Sequence, residues 1–299
     1  MTQFLDLRLQ PVGGELAKQV AACQGTSVTN YTGMLVDDLL HAIQGRHVLI
    51  ATHGFNVNRA DGIACLSNWA SLLGHYFPDP NPFAFLGLLW PGDSIWAHGL
   101  DYPEEPRVAD DAGALLGPFL DAYFQGAASV SFASHSLGAR VVLATIANMK
   151  MRVRRLTLMA GAVDDDCLTT EFSAAAAKVG AISVLASQKD TVLSTLFPLG
   201  NFVGGILTVG HPWWHAAIGH CGPAQRWPEN FGAPFMIPDG WEFDHGNYLQ
   251  INQPPAPALD LPVVVPAQGA ACPIVDEAGN PIAGWQEAFT AGFESSRFK

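Results

Sequence analysis

Through the first two thirds of the chain, short runs of apolar residues alternate with stretches in which apolar positions return every three or four residues. His47–Thr52 (HVLIAT) is a compact branched run, the pattern of a strand covered on both faces. From Asp61, a predicted N-cap, Ile63, Leu66, Trp69, Ala70 and Leu73 recur at helical spacing, and Gly74 is the expected stop. Phe83–Leu89 (FAFLGLL) reads as a second buried strand, closed by Trp90-Pro91-Gly92-Asp93. Val108, Ala112, Leu115, Leu116, Phe119 and Tyr123 mark another helix, in which Gly117-Pro118 is expected to cause a kink or break. Ser129 to Ala133 predicts a strand, Ala139 to Asn148 a buried helix, Leu156 to Ala160 a strand, Glu171 to Lys178 an Ala-rich helix, and Ile182 to Ala186 a further strand. Strands alternating with helices predict an α/β fold built on a mainly parallel sheet with helices on both faces, whose ligands sit at the carboxyl ends of the strands.

The rest of the chain reads differently. Residues 191 to 244 are rich in apolar and aromatic side chains and are expected to form a lid or acyl-pocket insertion. Pro254, Pro255, Pro257, Pro262 and Pro266 then mark an extended connector. Beyond it Trp285, Phe289 and Phe293, four residues apart, suggest a helix with an aromatic stripe. Taken together, residues 1–299 are expected to form one domain, with 252–299 as a C-terminal extension packing on its body.

A hydrophobic fraction of 49% supplies enough apolar surface for a large core. The net charge of −12, without any dense Lys/Arg cluster, argues against a nucleic-acid partner. Five cysteines at 23, 65, 167, 221 and 272 lack CxxC spacing, and Asp6, Arg8 and Pro11 interrupt what a secretory segment would need. A cytoplasmic protein is the expectation. No apolar run is long enough to predict a membrane span, although contact with a lipid interface is left open, as is the oligomeric state.

Ser134-His135-Ser136-Leu137-Gly138 lies where a strand meets a helix. A small-x-Ser-x-Gly turn at that place forces the serine into a sharp bend, with its hydroxyl clear of the sheet and the next N–H facing the site. Ser136 is therefore the candidate nucleophile, and the Leu137 N–H with that of Phe55, in His53-Gly54-Phe55, the candidate oxyanion hole. In this arrangement an acid and a histidine follow the serine. Asp190 follows the strand at 182–186, and His245 lies in Phe243-Asp244-His245-Gly246. Asp164, in the run Asp164-Asp165-Asp166, is the alternative acid. His135 is expected to be structural. Trp90, Phe197, Phe202 and Trp213 are the candidate pocket residues. His211, His215, His220 and Cys221 lack a nearby acid in sequence, so no metal is expected, and the proposed chemistry needs no cofactor.

His53-Gly54-Phe55-Asn56, Trp90-Pro91-Gly92-Asp93-Ser94 and His135-Ser136-Leu137-Gly138, in that order, resemble the motifs of a bacterial family of α/β hydrolases largely of undefined function. The resemblance spans approximately residues 47 to 250. It implies the α/β-hydrolase fold and a serine-esterase-like activity, with Ser136, Asp190 and His245 at the triad positions; it supplies no substrate, and a small-molecule ester is the expectation from the residues themselves. An acyltransferase, a lipase or phospholipase, and a non-catalytic binding module are the rival expectations.

Overall fold

The computed structural model describes residues 1–13, 15–73, 83–93, 105–195, 197, 215–224, 228–230, 235–237 and 239–248. The expected tail at 252–299 and much of the 191–244 insertion, Phe202 and Trp213 included, lie outside the described residues.

Among the described residues a single sheet has the order β3-β2-β1-β5-β4-β6-β7-β8-β9. Its strands are β1 (Thr2–Arg8), β2 (Leu16–Gly25), β3 (Thr32–Gly33), β4 (His47–Thr52), β5 (Phe83–Leu89), β6 (Ser129–His135), β7 (Val153–Met159), β8 (Val179–Ala186) and β9 (Phe235–Met236). From β1 through β9 every neighbouring pair on the β5 side is parallel, while β2 runs antiparallel to both β1 and β3. The described helices include α1 (Val36–Ile43), α2 (Arg59–Leu73), α3 (Glu105–Tyr123), α4 (Gly138–Asn148) and the one-turn α5 (Ser173–Ala176) and α6 (Ile218–Cys221). The central strands are buried along almost their whole length, as the apolar runs of β4 and β5 require of a sheet covered on both faces, and β6 (SVSFASH) is buried between its neighbours despite its serines.

Several boundaries differ from the sequence expectation, each for an identifiable reason. Helix α2 begins at Arg59, before Asp61, because Asn58 is the cap: its Oδ1 accepts from the Asp61 N–H at 3.0 Å, and its Nδ2 donates to the Asp61 carboxylate at 2.8 Å. Helix α3 runs unbroken through Pro118. Pro118 and Ala114, whose carbonyl loses its i+4 donor, are both exposed, so water can take the vacant bond. The opposite face is held close to α4, where a Cβ on Gly113 would stand 2.5 Å from Ala144 Cβ and one on Gly117 2.9 Å from Asn148. The Ala-rich segment at 171–178 forms only the one-turn α5, preceded by turns at 165–172. Strands β7 and β8 each start three residues before the apolar runs suggest, and β6 continues to His135.

Register aligns the strand ends that matter. Thr52 pairs with Ser134, His135 with Met159, and Met159 with Leu185. The turns leaving β4, β6 and β8 therefore open at one level of the sheet, its carboxyl edge.

Candidate active site

Ser136 is the first residue after β6 and has φ 52°, the left-handed region that a non-glycine residue adopts only when its surroundings enforce it. Those surroundings are visible. The Ser136 N–H donates to the Met159 carbonyl at 3.0 Å, and the Ser136 carbonyl accepts from Ala139 and Ala162. Gly138, in the first turn of α4, lies against β4: a Cβ there would be 2.5 Å from the His53 carbonyl oxygen. Gly54 is equally confined, since its Cβ would meet Ser136 Cβ at 2.8 Å and Ser136 Oγ at 3.4 Å. The two glycines let the His53-Gly54-Phe55 turn approach the serine at van der Waals distance.

His245 comes from a separate segment near the end of the described chain. Its Nε2 is 2.9 Å from Ser136 Oγ, and its Nδ1 is 2.8 Å from Asp190 Oδ2. Asp190 is fully buried, and its other oxygen accepts from the Leu193 N–H at 2.8 Å. Both carboxylate oxygens are thus engaged, which fixes the face offered to the imidazole. With Asp190 as acceptor, the neutral imidazole carries its proton on Nδ1 and leaves Nε2 to accept from the serine hydroxyl. Asp164 is placed elsewhere, its backbone paired with Ala217 in an isolated bridge.

The loop carrying His245 is locked by groups that sequence reasoning did not single out. Asp244 caps the short 3₁₀ turn His245–Asn247, accepting from the His245 N–H at 2.8 Å, while Asn247 Oδ1 accepts from the Asp244 N–H at 2.9 Å. Asp244 also accepts from the Thr191 N–H and hydroxyl, each at 2.9 Å, so it joins the histidine loop to the segment that follows Asp190. Burial works against the Asp244 charge, but these donors outweigh it and hold its carboxyl below the usual range. The Asp-x-x-Asn spacing of a capping box was readable in the sequence; the partnership with Thr191 was not. Ser187 adds a second tie, its hydroxyl donating to the Phe243 carbonyl at 2.6 Å.

Close to the serine lie two histidines kept neutral by desolvation, His53 fully buried and His135 partly buried. His53 is fully buried; its Nε2 accepts from the Trp90 N–H at 3.4 Å and its Nδ1 faces the Gly54 carbonyl at 3.0 Å. Burial pushes it down to about 3 despite that carbonyl. His135 donates from Nε2 to the His245 carbonyl at 3.0 Å and packs against the His245 and Tyr248 rings; desolvation first, and repulsion from His245 were that ring to protonate second, push it down to about 3. Trp90 corrects an expectation: it has no exposed surface, its indole N–H donates to the His53 carbonyl at 3.0 Å, and its ring stacks on His53. It supports the turn from below and does not line an open pocket. Phe197 is also buried.

Acids do lie near the histidines that appeared to lack them in sequence. Asp165, Asp166 and His215 bring ligand atoms within 4.8 Å of one another, with His215 Nδ1 at 2.8 Å from Asp165 and Nε2 at 3.8 Å from Asp166. Each ring nitrogen faces a carboxylate, and the hydrogen bond to Asp165 raises the His215 pKa, the environment of an imidazolium between two acids. His211 lies outside the described residues, and His220 Nδ1 faces the Ser187 carbonyl at 3.1 Å.

Comparison with known proteins places this geometry in context. No curated protein sequence matches the chain. Among solved structures, esterase PE8 is similar at 14% identity over 64% of this chain and 85% of its own, with a TM-score of 0.35. Esterase 2 of Thermogutta terrifontis is similar at 10% identity over 70% and 77%, TM-score 0.34, and esterase B of Lactobacillus rhamnosis at 10% identity over 69% of each, TM-score 0.33. Likenesses this distant carry no argument about activity. A family model described as alpha/beta hydrolase of unknown function (DUF900) matches residues 32–200, more than half of the chain. The chain belongs to that family of α/β hydrolases.

Proposed function

We propose that the chain is a serine hydrolase that cleaves carboxylic esters through an acyl-enzyme on Ser136. The observation that carries this is the continuous relay from Asp190 through His245 to Ser136, with contacts of 2.8 and 2.9 Å and the serine at a positive φ. Ser136 attacks the ester carbonyl as His245 Nε2 takes its proton, and Asp190 holds the tautomer and stabilises the imidazolium. The Phe55 and Leu137 amides receive the developing oxyanion. His245 then protonates the departing alcohol, and water activated by the same nitrogen releases the acid. No step calls for a cofactor.

The apolar content of 191–244, with buried Phe197 at its start, supports an ester with a hydrophobic acyl or aryl group. A single domain with 191–244 as its pocket insertion and 252–299 as an extension remains part of the proposal. Among the described residues no helix is long and apolar enough to cross a membrane, and the four described cysteines are free thiols, which supports a cytoplasmic setting.

Pre-steady-state hydrolysis of p-nitrophenyl esters from acetate to decanoate tests the scheme. A burst of nitrophenol equal to the enzyme concentration, absent in Ser136→Ala, is expected, with kcat/KM rising from acetate into the medium chains. Turnover retained by Ser136→Ala would overturn it. Added alcohol separates the acyltransferase alternative, which would form more transesterified product than free acid.

A further inference from the structure

The motif Trp90-Pro91-Gly92-Asp93 has no place in the chemistry above, yet it sits against the turn that carries Phe55. Asn56, at φ 57°, donates its N–H to the Gly92 carbonyl at 2.6 Å. Into the same junction reaches Arg8, from the end of β1 and outside the residues that the family model matches. Its Nη1 donates to the Val57 carbonyl at 3.1 Å and to the Trp90 carbonyl at 2.9 Å, binding the turn after β4 to the turn after β5 through one nitrogen. Its Nη2 forms an ion pair with Asp93, whose other oxygen accepts from the Gly13 N–H at 3.0 Å. Longer contacts at 3.4 Å run from Nε to the Gln10 carbonyl and from Nη2 to those of Pro11 and Gly13.

The Arg8 side chain has no exposed surface and that of Asp93 only 5%. Removing two charges from water is costly before their attraction returns it, so a buried pair is weak evidence of stabilisation for its own sake. What this pair does supply is geometry: a planar, permanently charged fork reaches three segments at once, which a point charge cannot do. One of those segments includes Phe55, the proposed oxyanion donor, and small displacements of such a donor are costly.

We propose that Arg8 and Asp93 are a positioning pair that sets the oxyanion turn, residues 53–58, against Ser136. The inference rests on the ester-hydrolase reading for its catalytic consequence but not for the brace itself. Arg8→Lys keeps the charge opposite Asp93 and loses the fork; Asp93→Asn keeps the shape and loses the charge, and serves if the first variant does not fold.

Three readouts on full-length protein decide the matter. Amide exchange read by mass spectrometry is expected to rise about tenfold in peptides covering 53–58 and 90–93, with 134–148 unchanged. For hydrolysis of a p-nitrophenyl ester, kcat per burst-titrated site is expected to fall about 10- to 100-fold with KM within about twofold. The Ki of a trifluoromethyl ketone, which forms an oxyanion on the serine, should rise in step with the loss of kcat/KM. A merely structural pair would lower the melting temperature and the titrated fraction but leave kcat per site and Ki as in wild type, and that result would overturn the proposal. Unchanged exchange at 53–58 would overturn it as well. Wild-type protein without esterase turnover would instead remove the hydrolase reading, and the exchange data would still decide whether the brace exists.

Discussion

At the scale of single residues, the site depends on where atoms are prevented from going. Gly54 has no side chain because a Cβ would press on Ser136 at 2.8 Å. Gly54→Ala is expected to lower kcat by about 10- to 100-fold while the folded fraction stays near wild type, measured by burst titration; unchanged kcat would show that the turn can move away at little cost. Asp190 and Asp164 make opposite forecasts. Asp190→Asn removes the acceptor that fixes the His245 tautomer and is expected to lower kcat by about 10⁴-fold, whereas Asp164→Asn should remain within about threefold of wild type. Equal losses would mean that the acid has been misassigned. Ser136, His245 and Asp190 were legible in the sequence because a strand-to-helix serine turn, a later acid after a strand and a later histidine beside glycine carry a fixed chain order. Asp244 and Arg8 were not, since their partners Thr191, Val57, Trp90 and Asp93 lie far away along the chain and local spacing gives no hint of them.

Among the elements, the buried parallel strands β4, β5, β7 and β8 were readable from their apolar runs, and β6 (SVSFASH) from its place before the serine turn. The strands β1 and β2 were not, for a physical reason. Asp6 and Arg8 give β1 the look of a surface segment, yet both are buried: Arg8 is neutralised by Asp93, and Asp6 lies 2.9 Å from Arg59 and accepts from the Tyr31 hydroxyl at 3.0 Å. Pairing across the sheet hides the charge that local pattern exposes. Helix α3 teaches the converse lesson, because Pro118 looked decisive locally while close packing of α3 on α4 overrides it. That contact is testable through Gly113. Alanine is intrinsically better than glycine in a helix by about 1 kcal/mol, but a Cβ here would meet Ala144 and the Thr145 backbone nitrogen at 2.5 and 2.6 Å, and backbone cannot step aside. Gly113→Ala is therefore expected to destabilise the protein by about 1–3 kcal/mol in urea unfolding. A stabilised variant would show that the α3–α4 interface has slack.

For the molecule as a whole, the neutral histidines close to the serine couple the fold to acidity. His53 and His135 are held at about 3, against an ordinary value of 6.5. Between those limits the unfolded chain binds protons that the native state refuses, so stability falls as pH drops below about 6.5. His215 has the opposite sign: raised by Asp165, it contributes stability below 6.5 that is lost as pH rises through its folded value. Its partly exposed pair is the weaker term. The thermal midpoint is thus expected to decline from pH 7 to pH 4.5, with His53→Asn or His135→Asn flattening the slope. A midpoint unchanged over that range would contradict the neutral state assigned to both imidazoles.

The central claim is that Ser136 is an activated nucleophile. Intact-mass measurement after treatment with a fluorophosphonate tests it most directly, because the reagent modifies a serine only where a base and an oxyanion site act together. The expected result is one adduct per chain in wild type and none in folded Ser136→Ala. Folded wild-type protein that takes up no reagent, or a Ser136→Ala variant that still does, would contradict it.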